Sequence, residues 1–428
     1  MTFKRSLWSV YLLTALLVLP GLYPLISING ETTGADLVYY LANGTGMIGL
    51  ALSFVSILLG VRFVAKLISP DVGGLVALHK WLGKYGFVFI LLHPVLEMFT
   101  YLENWLWIVV PEFSSDLEFQ ISVGRFALAL YLLIWVTSAI LRSRLRYRPW
   151  LYIHYLSYVM VLLALNHVED IGFFTMNTPL LGILRRIAFG SLVLIILGRL
   201  LYWAGLLKPK YEVVGHETYG DSIYTLTLRP QNKILAAKPG QYLYLQAKRF
   251  GEAHPYSLLH LDPKNGEMTF GIKALGPHSQ TLRDVSLGQT IFVDGPYGIF
   301  TRESSAEVPR VYWAGGIGVT PFVDSVLQAN RQDTYLHYSV QQEAEILMRE
   351  PLQAALGERL RIYVTREPGT KYRSGRITAA DVEAVVETLP AETEHYICGS
   401  PEFTKAIRKH LAEARVSSKN IYTEEFSH

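Results

Sequence analysis

The chain has 428 residues, of which 50% are hydrophobic and 18% charged, and its formal net charge is +3. This composition favours a membrane protein and gives no support to nucleic acid as a partner. A single cysteine, Cys398, excludes a disulfide framework and a cysteine-ligated iron–sulfur or zinc site. The charge is unevenly distributed, because residues 1–210 hold 16 Lys and Arg against 10 Asp and Glu, whereas the remainder holds 23 against 26. We therefore expect an apolar, basic half followed by a half with the composition of a soluble protein.

The first half contains six apolar stretches, each of which could cross about 30 Å of hydrocarbon as a helix. They lie near residues 7–28, 39–61, 79–101, 121–141, 150–167 and 183–205. Lys and Arg concentrate in the connections after the second, fourth and sixth stretches, and Asp and Glu concentrate in the alternate connections. The positive-inside rule then places both termini in the cytoplasm. We predict a six-helix transmembrane bundle over residues 1–209.

The second half changes pattern twice. Segments such as YEVVGHETYGDSIYTLTLRP alternate in polarity and are rich in β-branched and aromatic residues, which predicts a small antiparallel β-barrel over residues 210–302. From about Val308, short apolar strands such as VYWAGG and TYLHYSV alternate with helical stretches. This alternation predicts a parallel sheet with crossover helices, an α/β domain over residues 303–428.

Four histidines precede Lys210, and all of them lie in the third and fifth apolar stretches: His79, His93, His154 and His167. These two stretches run in the same direction, so that His79 and His154 share an inner depth and His93 and His167 an outer depth. The helical rise between the two depths is about 21 Å in one stretch and about 20 Å in the other. One imidazole from each helix at each depth suits an iron with two axial histidine ligands. We predict two stacked b haems, with polar helix contacts or a proton relay that includes Glu97 as alternatives.

The azimuth of these histidines adds a further expectation. Fourteen residues return to within about 40° of the same helix face, so His79 and His93 can serve one side. Thirteen residues leave His154 and His167 roughly 140° apart on an ideal helix. We therefore predict an irregular turn in the fifth stretch, or a frayed outer end at His167. Four arginines could meet haem propionates or lipid headgroups, namely Arg62 at the inner side and Arg125, Arg185 and Arg186 at the outer side.

Here the sequence resembles a known family. The run from Arg62 through Asp71 to HKWLG and on to HP at 93–94, together with TSAILRSRLRYRPWLYIHYLSY, is similar to the ferric reductase transmembrane family. That family includes NADPH oxidases, ferric-chelate reductases and the haem-bearing membrane partner of periplasmic methionine sulfoxide reductase. The histidine spacings of fourteen and thirteen match the pattern of the oxidases.

The second half resembles the ferredoxin-reductase superfamily at HPYSL (254–258), IKALGPHSQTL (272–282) and DGPYG (294–298). The resemblance implies that Tyr256 flanks the flavin of FAD, that Ser257 bonds near its reactive N5, and that backbone N–H groups after Gly276 hold its pyrophosphate. Phe426, near the C-terminus, would stack on the isoalloxazine. The implied FAD-binding set is His254, Pro255, Tyr256, Ser257, Lys273, Gly276, Ser279, Gln280, Thr281 and Phe426.

AGGIGVTPF (314–322) follows a predicted strand and matches the GGxGxTP variant of this superfamily, in which glycines allow close approach to a phosphate. CGSPEF (398–403) follows another strand, and the resemblance places Cys398 at the nicotinamide. The implied NAD(P)H-binding set is Gly315, Gly316, Gly318, Val319, Thr320, Pro321, Cys398 and Gly399. Gln341 and Gln342 stand where relatives carry an arginine suited to a 2′-phosphate, while Arg366, Lys371 and Arg373 could compensate. The choice between NADPH and NADH stays open.

These features predict a multi-pass protein of the plasma membrane, the inner membrane of a bacterium. Its cofactors are FAD and two b haems, and its substrate is NADPH or NADH. Electrons would pass from the cytoplasmic nucleotide through FAD to the inner haem, then to the outer haem and to an external acceptor. Dioxygen, which gives superoxide, is the expected acceptor, and ferric iron or a periplasmic reductase is the alternative. The expected partners are the lipid bilayer and this small-molecule acceptor, with no nucleic acid and no obligatory protein partner. No acid–base catalytic residue is required, because the cofactors carry the chemistry.

Overall fold

The computed structural model describes residues 8, 11–12, 14–15, 18–28, 33–69, 72–298, 300–301, 308–329 and 333–425. The chain divides into two compact units, Met1–Leu200 and Leu201–His428. The domain boundaries expected after residues 209 and 302 stay a prediction. Each unit is described by itself.

The first unit is helical. Its helices are α1 (Tyr23–Ile26), α2 (Gly34–Gly60), α3 (Arg62–Ile68), α4 (Val72–Tyr85), α5 (Phe87–Thr100), α6 (Trp105–Val109), α7 (Asp116–Trp135), α8 (Tyr147–Ile171), α9 (Phe173–Asn177) and α10 (Pro179–Trp203), the last of which runs just past the unit boundary. Five helical segments in the described part of the chain are long and apolar enough to cross a membrane: Asp36–Gly60, Val72–Thr100, Asp116–Ile140, Tyr147–Glu169 and Pro179–Trp203. They correspond to the predicted second to sixth stretches and are called the second to sixth spans below.

The expected count of six spans is corrected to five among the described residues. The predicted first stretch, 7–28, falls in part outside them, at residues 7, 9–10, 13 and 16–17. Its described end is a 3₁₀ turn, Leu19–Leu22, followed by the four-residue helix α1. Pro20 and Pro24 each lack the N–H that would continue a preceding helix, and each is the second residue of a new short element.

The irregular turn expected in the fifth span is not there, and this prediction was wrong. The fifth-span helix α8 runs without interruption from Tyr147 to Ile171, and His167 lies inside it. The sequence between His154 and His167 contains no Gly or Pro that would break a helix. The irregular backbone lies in neighbouring spans. Gly86 separates α4 from α5 in the third span, and a π turn, Val136–Ile140, ends the fourth span.

The spans pack in pairs. The second span lies along α5 of the third span, and the fourth span lies along α8. Between them is an apolar cluster that includes Val61, Val161 and Leu192, each at most 1% exposed. This pairing sets the third-span histidines against the second span and the fifth-span histidines against the fourth.

The second unit begins with a closed antiparallel barrel. Its strands are β1 (Lys210–Tyr219), β2 (Ile223–Pro230), β3 (Tyr242–Gln246), β4 (His254–Leu261), β5 (Met268–Lys273) and β6 (Thr290–Tyr297), in the order β1-β2-β5-β4-β3-β6. Leu226, Leu243, Leu258 and Phe270 are fully buried inside it. The short helix α11 (Pro277–Arg283) follows β5. Closure removes the exposed strand edges.

The rest of the second unit is an α/β sheet of six parallel strands. The strands are β7 (Arg310–Gly315), β8 (Thr334–Val340), β9 (Leu360–Val364), β10 (Arg373–Ser374), β11 (Glu394–Gly399) and β12 (Ile421–Glu425), in the order β10-β9-β8-β7-β11-β12. Its helices are α12 (Thr320–Ala329), α13 (Arg349–Leu356), α14 (Ala379–Thr388) and α15 (Pro401–Glu413). The strand order reverses between β7 and β11, and ligands bind at such a switch point beyond the carboxyl ends of the strands. The expected fold class, a helical membrane bundle followed by a barrel and an α/β domain, is confirmed.

Candidate functional site

The four histidines of the membrane unit form two facing pairs. The ring centres of His79 and His154 are 5.8 Å apart, and those of His93 and His167 are 6.4 Å apart. A metal–imidazole bond is about 2 Å long and the ring centre lies about 1 Å beyond the nitrogen, so two rings on one metal have centres about 6 Å apart. Both pairs therefore have the separation that two axial ligands of one iron require.

Backbone carbonyls fix the orientation of three of these rings. Nδ1 of His79 lies 2.7 Å from the carbonyl oxygen of Ser56, and Nδ1 of His93 lies 2.9 Å from that of Ala42. Nδ1 of His167 lies 2.8 Å from the carbonyl oxygen of Gln120. A carbonyl only accepts, so Nδ1–H must donate in each case, and Nε2 keeps its lone pair for a metal.

A glycine makes each of these carbonyls accessible. Gly46, Gly60 and Gly124 lie four residues after Ala42, Ser56 and Gln120, at the position whose N–H bonds the same carbonyl within the helix. A Cβ at Gly46 would lie 2.9 Å from Nδ1 of His93, and one at Gly124 would lie 2.7 Å from Cε1 of His167. At Gly60 the corresponding distance to Cε1 of His79 is 3.2 Å. The absence of a side chain thus lets each imidazole reach a carbonyl that already carries one hydrogen bond.

The fourth histidine is held differently. Nδ1 of His154 lies 3.2 Å from Oγ of Ser138, a residue of the π turn. The same hydroxyl oxygen accepts a hydrogen bond of 3.1 Å from Nε1 of Trp150, whose ring stacks on His154 at 5.1 Å. The guanidinium of Arg142, a residue in the connection between the fourth and fifth spans, lies 4.3 Å from the centre of the Trp150 ring. His154 is therefore oriented by a side-chain hydroxyl and an indole rather than by a carbonyl.

The alternative of a proton relay through Glu97 has less support from the geometry. Glu97 Oε1 lies 3.9 Å from Nδ1 of His93, beyond hydrogen-bond distance, and Glu97 Oε2 is buried without a hydrogen-bond partner among the described residues. Nδ1 of His93 already donates to Ala42. The sequence identified the four histidines but not Ser138 or the three glycines. The glycines could be recognised only by their position one turn after a carbonyl acceptor, which requires knowledge of the contacts between spans.

The FAD-type residues gather at the barrel strand β4 and helix α11. The hydroxyl of Tyr256 lies 2.9 Å from Nδ1 of His278, and the ring of His254 stacks on that of His278 at 4.0 Å. Ser257 is buried on the same strand. Burial, followed by the neighbouring His254, lowers the pKa of His278 to about 4. The sequence missed His278 as a functional candidate, although it stands inside the motif GPHSQT.

The start of α11 is well defined. Oγ of Ser279 accepts from the backbone N–H groups of Leu275 and Gly276 at 3.1 and 3.0 Å, and Oγ1 of Thr281 donates to the carbonyl of Pro277 at 2.9 Å. These hydroxyls shape the loop, so their contribution to a phosphate site is indirect. Gln280 lies in the middle of the same helix, and Lys273 ends β5. Phe426, the expected flavin-stacking residue, lies outside the described residues.

The two glycine motifs of the α/β domain meet at the switch point. A Cβ at Gly318 would lie 2.2 Å from the carbonyl oxygen of Cys398, and one at Gly399 would lie 3.2 Å from Cα of Gly315. Gly316 has a φ of +57°, which a residue with a side chain rarely adopts. The turn Gly316–Val319 then leads into α12 at Thr320 and Pro321. The structure therefore brings together all eight residues of the expected NAD(P)H set.

Two titratable groups lie on the adjacent strands β11 and β12. Cys398 is fully buried, and burial raises the pKa of its thiol well above the usual value. Cys398 pairs with Glu424 in the parallel register, and burial raises the pKa of Glu424 to about 7. Burial thus favours the neutral form of both groups.

Three family models match successive segments of the chain. Residues 30–165 match the family model described as ferric reductase like transmembrane component. Residues 210–301 match the oxidoreductase FAD-binding domain, and residues 313–409 match the oxidoreductase NAD-binding domain.

The relatives and the solved structure named next each match about half of this chain. The chain is 24% identical over 237 residues to a flavohemoprotein of Bacillus subtilis, a match that spans 51% of this chain and 59% of that protein. It is 25% identical over 232 residues to NADH-cytochrome b5 reductase 1 of Dictyostelium discoideum, spanning 51% and 79% of the two chains. Among solved structures, the FAD/NAD-binding domain of the nitric oxide dioxygenase of Vibrio cholerae covers 51% of this chain and 98% of its own, at 20% identity and a TM-score of 0.46.

The membrane spans, the barrel and the nucleotide-type sheet therefore each carry their own family assignment, in the order in which the sequence presents them. The chain therefore joins a segment that matches the ferric reductase like transmembrane component to an oxidoreductase FAD-binding domain and an oxidoreductase NAD-binding domain.

Proposed function

We propose that this protein carries electrons across a membrane, from NAD(P)H through FAD and two b haems to an acceptor on the opposite side. The observation that carries the proposal is the pair of facing imidazole couples, His79 with His154 and His93 with His167, at ring separations of 5.8 and 6.4 Å. When bound, FAD takes up a hydride and gives up electrons singly, and each haem carries one electron.

The chain's own residues position these groups. The hydrogen bonds to Ala42, Ser56 and Gln120 hold three imidazoles with Nε2 directed away from the backbone acceptor. Each facing pair would hold one b haem through its two imidazoles, and that haem would supply a one-electron carrier. We assign FAD to the loop and strand residues around Tyr256 and Gly276, and NAD(P)H to the glycine turns at Gly315–Val319 and Cys398–Gly399.

We further propose that both termini are cytoplasmic, that the protein resides in the bacterial inner membrane, and that the acceptor at the His93 and His167 level is dioxygen. The charge of the connecting segments supports the orientation. The histidine spacings of fourteen and thirteen, which resemble those of the oxidases, favour dioxygen over ferric iron. Delivery of electrons to a periplasmic reductase is the third candidate.

The test uses the purified full chain reconstituted with haem and FAD. Reduced-minus-oxidised spectra should show six-coordinate b haem at two equivalents per chain, and His93→Ala should remove one equivalent. With NADPH or NADH supplied, reduction of cytochrome c that superoxide dismutase abolishes supports dioxygen as acceptor. Dismutase-insensitive reduction of a ferric chelate would instead support ferric iron. Full haem content in His93→Ala would refute the assignment of the ligands.

A further inference from the structure

The sixth span carries a cation within the membrane unit that the sequence did not single out. Arg199 donates from Nη1 to the hydroxyl of Tyr158 at 3.0 Å and from Nη2 to the hydroxyl of Tyr155 at 2.9 Å. Its guanidinium also lies 4.6 Å from the centre of the Tyr155 ring. Tyr155 and Tyr158 follow His154 by one and four residues on an unbroken helix, so the guanidinium lies within about one turn of that ligand.

This cluster is arranged to donate hydrogen bonds. Arg199 has only donors, and the two phenol oxygens accept from it, so that each tyrosine keeps its own O–H to give. The remaining guanidinium N–H groups are donors as well. Such a set of donors around a positive charge fits a carboxylate, which accepts several hydrogen bonds at once.

The described part of the membrane unit offers no carboxylate to this cation. The Asp and Glu residues of the membrane unit whose side chains the structure describes lie towards the end of the bundle that holds His93 and His167; they are Asp36, Glu97, Glu103, Glu112, Asp116, Glu118 and Glu169. Glu118 pairs with Arg125 at 3.4 Å, and Glu169 pairs with Arg185 at 2.6 Å. Arg125 and Arg185, two of the arginines expected to meet haem propionates, therefore already have protein partners.

A charged side chain inside a bilayer is costly and is retained where it meets a partner. We propose that Arg199, Tyr155 and Tyr158 form the binding site for a propionate carboxylate of the haem held by His79 and His154. This inference rests on the proposed function, because it needs a haem at that level. The competing explanation, a guanidinium that reaches a lipid phosphate at the headgroups, makes different predictions for that haem.

The positive charge of Arg199 favours the reduced state of the neighbouring haem, which carries one more electron. Its removal should lower the midpoint potential of that haem alone. Loss of one positive charge near that haem, in a partly polar interior, should change its reduction equilibrium by about tenfold, which is about 59 mV for one electron.

The experiment compares variants of the full chain by potentiometric titration with a haem count. Arg199→Gln should keep both haems and change the reduction equilibrium of only the His79/His154 haem, by about tenfold. Arg199→Lys should keep most of the wild-type midpoint potential. Arg186→Gln, an exposed arginine at the other end of the same span, is the matched control and should leave that haem unchanged. The double variant Tyr155→Phe, Tyr158→Phe keeps the cation and removes the hydroxyl donors. It should lower the midpoint potential of the same haem by an amount that corresponds to a few-fold change in its reduction equilibrium. This variant tests the site even if Arg199→Gln does not fold.

The outcomes separate the two claims. If the wild-type protein binds two haems and neither Arg199→Gln nor the tyrosine variant shifts a potential, the guanidinium meets lipid and the inference is overturned. If the wild-type protein binds no haem, or His154→Ala keeps the full complement, the proposed function itself fails and this inference fails with it.

Discussion

Replacement of Gly124 by a residue with a side chain should strongly disturb the membrane unit. A Cβ at this position would lie 2.7 Å from both Cε1 and Nδ1 of His167, closer than such atoms approach in folded proteins. Relief requires the imidazole to leave the carbonyl of Gln120 or the fourth and fifth spans to separate. Overpacking of this kind costs about 1–3 kcal/mol. The helix propensity of Ala opposes this effect by about 1 kcal/mol, so propensity alone predicts the opposite sign.

Haem content per chain and the midpoint of thermal unfolding are the two measurements. Gly124→Ala should lose the haem of the His93/His167 level and unfold at a lower temperature than the wild type. Gly46→Ala should behave similarly, since its Cβ would lie 2.9 Å from His93, and Gly60→Ala, at 3.2 Å from His79, should have the smallest effect. Gly190→Ala in the sixth span is the matched control, because nothing lies within 4 Å of a Cβ there. The reasoning is refuted if Gly124→Ala keeps both haems and the unfolding midpoint of Gly190→Ala.

Three further predictions concern other positions. Ser138→Ala should convert part of the His154 haem to a high-spin spectrum while Ser138→Thr retains the wild-type spectrum, and identical spectra for the two variants would contradict the role of the hydroxyl. The hydrogen bond to Asp324 raises the pKa of His260, so the stability that protonated His260 contributes is complete below pH about 6.5 and is lost as the pH rises through its raised folded-state pKa. The difference in unfolding free energy between wild type and His260→Gln should therefore shrink at alkaline pH, and a difference independent of pH would oppose this. Cys398, fully buried and with its pKa raised by burial, should react with a thiol reagent at pH 8 only after unfolding, and rapid labelling of the native protein would contradict this expectation.

Much of the architecture could be predicted because it depends on local patterns. Hydropathy over about twenty residues identifies a span, and period-two alternation identifies a barrel strand, without knowledge of which elements meet. The histidine pairs could be predicted for a similar reason, since equal depth follows from helical rise and from the direction of each span. Helix geometry did not explain how His154 and His167, thirteen residues apart, can both face partners in the third span. Azimuth was calculated for an ideal fifth-span helix alone, whereas the irregular backbone lies at Gly86 in the third span and at the π turn in the fourth.

The residues around the ligands could not be predicted because they depend on which spans pair. Nothing in the sequence near Ala42 indicates that its carbonyl will meet His93, 51 positions away. His278 shows the same limit in the second unit: its motif was noticed, but its contact with Tyr256 depends on the way α11 returns to β4. Once the pairing of the spans is known, a pattern emerges: for His79, His93 and His167 the glycine lies four residues after the carbonyl acceptor.

That pattern also explains why His154 is the exception. In an α-helix the N–H four residues on bonds the carbonyl, and a glycine at that position leaves a second approach open, as it does at Gly46, Gly60 and Gly124. At the end of the fourth span the backbone hydrogen bonds join residues five apart instead of four, since Leu141 N–H donates to the carbonyl of Val136 at 2.9 Å. The four-residue arrangement is therefore not available in this turn, and the Ser138 hydroxyl provides the acceptor instead. A hydroxyl that already accepts from Trp150 is a weaker acceptor for Nδ1–H than an amide carbonyl, so under the proposed function we expect His154 to give a haem iron less electron density than the other three histidines would. The two levels of the bundle are thus chemically unequal, and the inequality lies at the level nearer the basic connection that contains Arg142.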